Sequence, residues 1–229
     1  MNNMKKKYFW ADSETTGQSV PAGHQILSIA IVVKDYLGQI RDTLDIKIKL
    51  KPNAVVEPKA LEVNKIDPYS KEFNKGAYTY SEAKILIKEF ILKNQAEDYD
   101  HESIALAYNA RFDFKFLDAM FSESNDFFRQ LFHMVVDPLI LAKKLTRSGK
   151  VKTEPKANED GTTYFPSSLQ AMAKFYNTKD DGDAHTAIAD VRTMISTTEA
   201  MWKTEYNESM YSDTSNKILD YDAKLTELR

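Results

Sequence analysis

A chain of 229 residues is long enough for one sizeable core and too short for two full domains with a linker, so one main domain is expected. With 42% hydrophobic and 28% charged residues it is not a mostly disordered chain, and at a formal net charge of -3 it is not a simple non-specific DNA coater. Cysteine is absent, which excludes disulfides and thiolate metal sites, fits a reducing cytoplasm, and leaves oxygen and imidazole as metal ligands.

The opening MNNMKKKYFW has a basic start, but its apolar run is too short for a signal-peptide core, and no other segment approaches the length of a membrane span. A soluble, unexported, cytoplasmic protein is expected. Lys7 to Ala11 reads as a first strand. The β-branched runs QILSIAIVVKD and IRDTLDIKIKL, joined by YLGQ, predict an antiparallel hairpin, the second run alternating at Leu44, Ile46, Ile48 and Leu50. EPKALEVNKI predicts a short helix with Pro58 in its first turn. TYSEAKILIKEFILKN predicts a longer one, with Thr79 and Glu82 at capping-box spacing.

From there the pattern alternates. SIALAYNA is a fourth strand, FDFKFLDAMF a helix with Phe112, Phe116 and Leu117 on its core stripe, and HMVVD a fifth strand. PLILAKKL is a helix capped by Asp137. Residues 146–166 carry Gly, Pro and polar residues without periodicity and read as a long loop. The basic run Lys143, Lys144, Arg147, Lys150 and Lys152 reads either as a solvated face or as a guide for single-stranded nucleic acid. SSLQAMAKFYN and residues 186–206 complete the domain as helices. In residues 207–229, a helical tail, Ile218, Tyr221, Leu225 and Leu228 recur at helical spacing and either pack back on the domain or dock on a partner. A hairpin followed by strand-helix alternation implies an α/β mixed sheet flanked by helices, with ligands bound beyond the carboxyl ends of its strands.

Asp12 and Glu14 stand at such an end, in DSETTG. Residues two apart in a strand face one side, so the two carboxylates converge, which is costly unless a cation lies between them; an exposed strand end with two acids is the plainer alternative. Asp113 opens the helix after the fourth strand, where the helix dipole alone accounts for an acid. His185 and Asp190, in HTAIAD, are five residues apart and would be turned about 140° from each other on one helix, so they share a site only if His185 precedes the helix or opens it.

Taken together and in order, DSETTG, YNARFDFKFL and AHTAIAD resemble the three motifs of the DEDDh 3′-to-5′ exonucleases. This is the DnaQ-like family that includes the epsilon proofreading subunit of bacterial DNA polymerase III. ILSIAIV, VVDPLILAKKL and SSLQAMAKFY support the match, which runs from about residue 7 to 200. Departures are the long loop before Ser167, NKI at Asn64 where HGI is common, and the tail.

The resemblance implies a ribonuclease H-like fold with a five-stranded mixed sheet, and an exonuclease domain over residues 1–206. It implies two Mg²⁺ or Mn²⁺ ions held by Asp12, Glu14, Asp113 and Asp190, with Asp12 bridging and His185 as general base. By the same resemblance Thr15, Thr16 and Gly17 receive the 3′-terminal nucleotide, Leu27 either wedges against its base or packs in the core, and Asn109 supports the second motif or the nucleotide. The implied substrate is a single-stranded or frayed 3′ end, DNA ahead of RNA, with nucleoside 5′-monophosphates released. A polymerase or replication protein is the implied partner. The alternatives are an exoribonuclease trimming short RNAs, and a binding module that kept only the fold. The acids and the histidine are all present, which argues against the last.

Overall fold

The computed structural model describes residues 5–96, 101–121, 131–178, 186–212 and 217. Five strands form one sheet in the order β3-β2-β1-β4-β5. They are β1 (Lys5–Thr15), β2 (Ile26–Lys34), β3 (Ile40–Lys47), β4 (His101–Leu106) and β5 (Met134–Val136). The β1-β2 and β2-β3 pairs are antiparallel, whereas β1-β4 and β4-β5 are parallel. The sheet is therefore mixed, as expected, and the carboxyl ends of β1, β4 and β5 share one edge.

The helices are α1 (Pro58–Asn64), α2 (Lys71–Asn74), α3 (Tyr80–Ala96), α4 (Ala110–Met120), α5 (Pro138–Arg147), α6 (Leu169–Tyr176) and α7 (Ala187–Tyr206). At the start of α3, the Thr79 amide donates to Glu82 Oε2 at 2.7 Å and the Glu82 amide returns a bond to Thr79 Oγ1 at 3.3 Å, the expected capping box. The short α2 carries too few residues to show a period and is not visible in the sequence pattern.

Strand alternation divides the core in two. Tyr8 and Trp10 of β1 pack with Val32, Ile104 and Leu106 against Leu141, Met172, Val191 and Trp202 of α5, α6 and α7. Phe9 and Ala11 face the other way, with Ile29, Ile31 and Ala105, onto Ile87 and Ile91 of α3 and Phe114 and Leu117 of α4. The sheet is thus a middle layer. Its edge strand β3 is largely exposed and carries Arg41, Asp42, Asp45 and Lys47, charges that discourage edge-to-edge pairing.

Two expectations are corrected here. The first strand does not end at Ala11 but runs on to Thr15, so Asp12 and Glu14 lie in the strand itself. Residues 146–166 are not wholly a loop: β6 (Lys156–Ala157) and β7 (Thr163–Tyr164) pair antiparallel, each too short to show an alternation. The Thr153 hydroxyl donates to Pro166 O at 2.8 Å and the Tyr108 hydroxyl donates to Ser167 O, tying the base of this hairpin to the carboxyl end of β4. Among the described residues no helix is long and apolar enough to cross a membrane. Ile218, Tyr221, Leu225 and Leu228 of the tail lie outside the described residues.

Candidate active site

The pairing of β1 with β4 stops at Trp10 opposite Leu106, while its pairing with β2 continues to Thr15. Residues 12–15 therefore project past the end of β4 with one side of the strand open. By alternation Asp12 and Glu14 continue the face of Tyr8 and Trp10, the face covered by α7, and Ser13 continues the face of Phe9 and Ala11, covered by α4.

From the α7 side comes Asp190. Thr186 caps this helix, accepting at its side chain from the Ala189 amide, and Asp190 lies in its first turn. Carboxylate oxygens of Asp12, Glu14 and Asp190 all lie within 4.8 Å of one another. The helix begins after His185, but that residue itself lies outside the described ones.

From the α4 side comes Asp113, which is 3% exposed. Its Oδ1 accepts from the Ser13 amide at 2.9 Å and from the Ser13 hydroxyl at 2.7 Å. The amide is on the side of β1 that β4 leaves open, so the carboxylate takes the place of a missing sheet partner. Asp113 is not one of the three acids whose oxygens converge within 4.8 Å, yet it is the strongest acidic neighbour of Asp12.

Electrostatically the site is under load. Burial, then Asp113, Glu14 and Asp190, push the Asp12 carboxyl well above its usual range. Glu14 is pushed up to about 7 by burial and by Asp190 and Asp113, against a hydrogen bond from the Asn64 side chain. Asp113 is raised to about 7, mainly by burial, with the Ser13 donors pulling the other way. Hard divalent cations such as Mg²⁺ fit this donor set: carboxylates of β1 and α7 converge with that of α4 beside them, and their mutual repulsion is relieved when positive charge arrives.

Asp137 shows the opposite arrangement. It caps α5 through the Leu139 amide at 2.9 Å, as expected, and also accepts from the Asn109 amide at 2.9 Å and the Ala110 amide at 3.2 Å. One carboxylate thereby holds the starts of both α4 and α5. The left-handed turn at Asn109, φ 64°, brings those amides round to it.

The residues expected to receive a nucleotide are largely engaged within the protein. The Thr15 hydroxyl donates to Gly17 O at 2.7 Å. The Thr16 hydroxyl, fully buried, donates to Val55 O at 2.6 Å and accepts from the Gln25 amide at 3.0 Å. Gly17 rests on the His24 ring, where a Cβ would come within 2.5 Å of ring atoms. The His24 Nδ1 accepts from the Ser19 amide at 3.0 Å, so the ring is locked in place. Leu27 is 0% exposed and offers no surface to a base; it packs, because β2 is buried along its whole length. Asn109 is exposed beside the acids' edge of the sheet. In the basic run, Lys144 and Lys150 both pair with Glu205, at 3.0 and 2.7 Å, which commits those two cations to α7.

Sequence reasoning misses Ser13 and Asn64. Asn64, 5% exposed at the end of α1, donates to Thr15 O at 3.1 Å and accepts from the Ile66 amide at 3.1 Å. Strand parity is the available signal for Ser13, since it puts that residue on the face from which Asp113 arrives.

A family model described as an exonuclease, RNase_T, matches residues 9–198, and the chain belongs to this exonuclease family. Ribonuclease T of Shewanella denitrificans (strain OS217) is 32% identical over 126 residues, 53% of this chain and 54% of that protein. The chain thus aligns with about half the length of this curated relative. Among solved structures, E. coli Exonuclease I in complex with a dA16 oligonucleotide superposes with a TM-score of 0.63 at 20% identity, covering 87% of this chain and 41% of that one. The nuclease domain of 3′hExo, a DEDDh family member bound to rAMP, gives 0.56 at 16% identity, covering 88% and 92%. At such identities the likeness establishes the fold, which is ribonuclease H-like.

Proposed function

We propose that this chain is a metal-dependent 3′-to-5′ exonuclease that releases nucleoside 5′-monophosphates from single-stranded or frayed 3′ ends. The observation that carries the reading is the convergence of Asp12, Glu14 and Asp190 within 4.8 Å, from two elements brought together only by the fold. Asp12, Glu14 and Asp190, with Asp113 beside Asp12 as the fourth acid, would hold the divalent ions, Mg²⁺ or Mn²⁺. Bound there, a pair of ions would supply positive charge to the attacking and leaving oxygens of a phosphodiester.

The protein's own part is to orient and to move a proton. Water attacks the last phosphorus, the bond from phosphorus to the 3′ oxygen of the preceding nucleotide breaks, and that oxygen takes a proton from solvent and leaves as a 3′ hydroxyl. His185 takes the proton from the attacking water as general base, a role open to a neutral imidazole. With the Thr15 and Thr16 hydroxyls engaged internally, the terminal nucleotide meets backbone around residues 15–17 and the exposed Asn109.

DNA is the first substrate proposed, on the ETTG form of the first motif. RNA is the second reading, favoured by the Ribonuclease T relative. Matched 5′-labelled single strands of DNA and RNA, incubated with Mg²⁺ or Mn²⁺, test both. Ladders shortening from the 3′ end with mononucleotide release are expected, lost in chelator and reduced at least about 10²-fold in Asp12→Ala, the scale of losing one preorganised stabilising group. Internal cutting, or full activity in chelator, contradicts the proposal.

A further inference from the structure

The residue between the two acids of the first motif faces away from them, and its hydroxyl is within 2.7 Å of the one acid that reaches the site from the other side of the sheet. We propose that Ser13 is a positioning residue for Asp113, its hydroxyl and amide together fixing the carboxylate beside Asp12 so that the α4 acid joins the cation site. The inference rests on the reading of that site as an exonuclease metal centre.

Three features support it. Both partners are buried, Ser13 at 7% and Asp113 at 3% exposure, so the bond is not exchanged for water. Both Ser13 donors go to the same oxygen, so Oδ1 is held by two bonds from one residue while Oδ2 is left to other partners. And the amide alone does not serve equally well: the hydroxyl adds a second, shorter charge-assisted bond at 2.7 Å, which deepens the well in which Oδ1 sits. Outer hydrogen-bond partners of metal-binding carboxylates are worth about 10–100-fold in metal affinity or activity.

The test compares the wild-type chain with Ser13→Ala, which keeps the amide bond, and Ser13→Thr, which keeps the hydroxyl. Mn²⁺ binding is followed by calorimetry, kcat and KM on a labelled oligonucleotide, and melting temperature in chelator. Ser13→Ala is expected to lose about 10–100-fold in Mn²⁺ affinity or in kcat, with KM nearly unchanged, and Ser13→Thr to recover most of the loss. Wild-type Mn²⁺ binding and kcat in Ser13→Ala overturns the proposal. So does an equal defect in both variants, which would point to packing rather than to the hydroxyl. If the wild-type chain binds Mn²⁺ and hydrolyses neither DNA nor RNA, the exonuclease reading fails while the Mn²⁺ comparison still judges Ser13.

Discussion

The two halves of β1 follow opposite physical rules. From Tyr8 to Ala11 every side chain is buried and apolar, shared between the two core layers, and each adds stability by leaving water. From Asp12 to Thr15 the same strand gathers acids that raise one another's pKa, and it does so where β4 has ended and no sheet partner remains on one side. One strand therefore anchors the fold with its first half and stores electrostatic repulsion in its second. The rigid half is what permits the strained half: crowded carboxylates stay together because the backbone beneath them cannot move apart.

That contrast can be broken at its strongest point. Trp10 is 0% exposed at the centre of the α5-α6-α7 layer, and Trp10→Ala is expected to cost about 3–5 kcal/mol in chemical denaturation, with or without divalent ions. A loss that vanished when Mn²⁺ was added would mean that the two halves are not separable.

Asp137 sharpens the comparison, being a buried carboxylate that is satisfied where Asp12 is crowded. Backbone amides of Asn109, Ala110 and Leu139 offset much of the burial that raises its pKa. Asp137→Ala should destabilise by about 1–3 kcal/mol, since it leaves buried donors unpaired and removes a helix cap. Turnover should fall too, because Asn109 and Asp113 ride on the turn that Asp137 holds. Unchanged melting would show that water replaces the carboxylate.

Much of the fold is legible in the amino-acid order alone. β-branched runs mark the hairpin because edge and central strands need that shape, and the capping pair Thr79 and Glu82 marks a helix start that the fold keeps. Thr186 likewise opens α7 where the third motif requires it. Asp12, Glu14 and Asp190 are legible as a set only through their order along the chain, since no single spacing specifies a site drawn from two elements. What stays hidden depends on which face or which partner a residue finds. Ser13, between two acids, carries no signal beyond strand parity, Asp137 reads as one cap and serves two helices, and Leu27 reads equally as core or as base wedge and is wholly buried. Lys144 and Lys150 belong to a basic run whose partner, Glu205, lies on a helix far along the chain.

The smallest effect expected is also the most telling, because its sign is unusual. Glu14 and Asp113 titrate near 7 in the folded chain against 4.5 and 3.8 ordinarily. Between about pH 4 and 7 the folded state therefore keeps protons that the unfolded chain has released, and this contribution to metal-free stability falls as pH rises, reaching its floor above about 7. Removing one charge should relieve the others. At pH 8 in chelator, Asp12→Asn is expected to melt about 2–4 °C above the wild-type chain, equivalent to about 1 kcal/mol. Mn²⁺ should then raise the wild-type melting temperature and leave the variant nearly unmoved. A variant that melts lower than wild type without metal, or gains as much from Mn²⁺, would contradict the claim that these acids are gathered at a cost that only a bound cation removes.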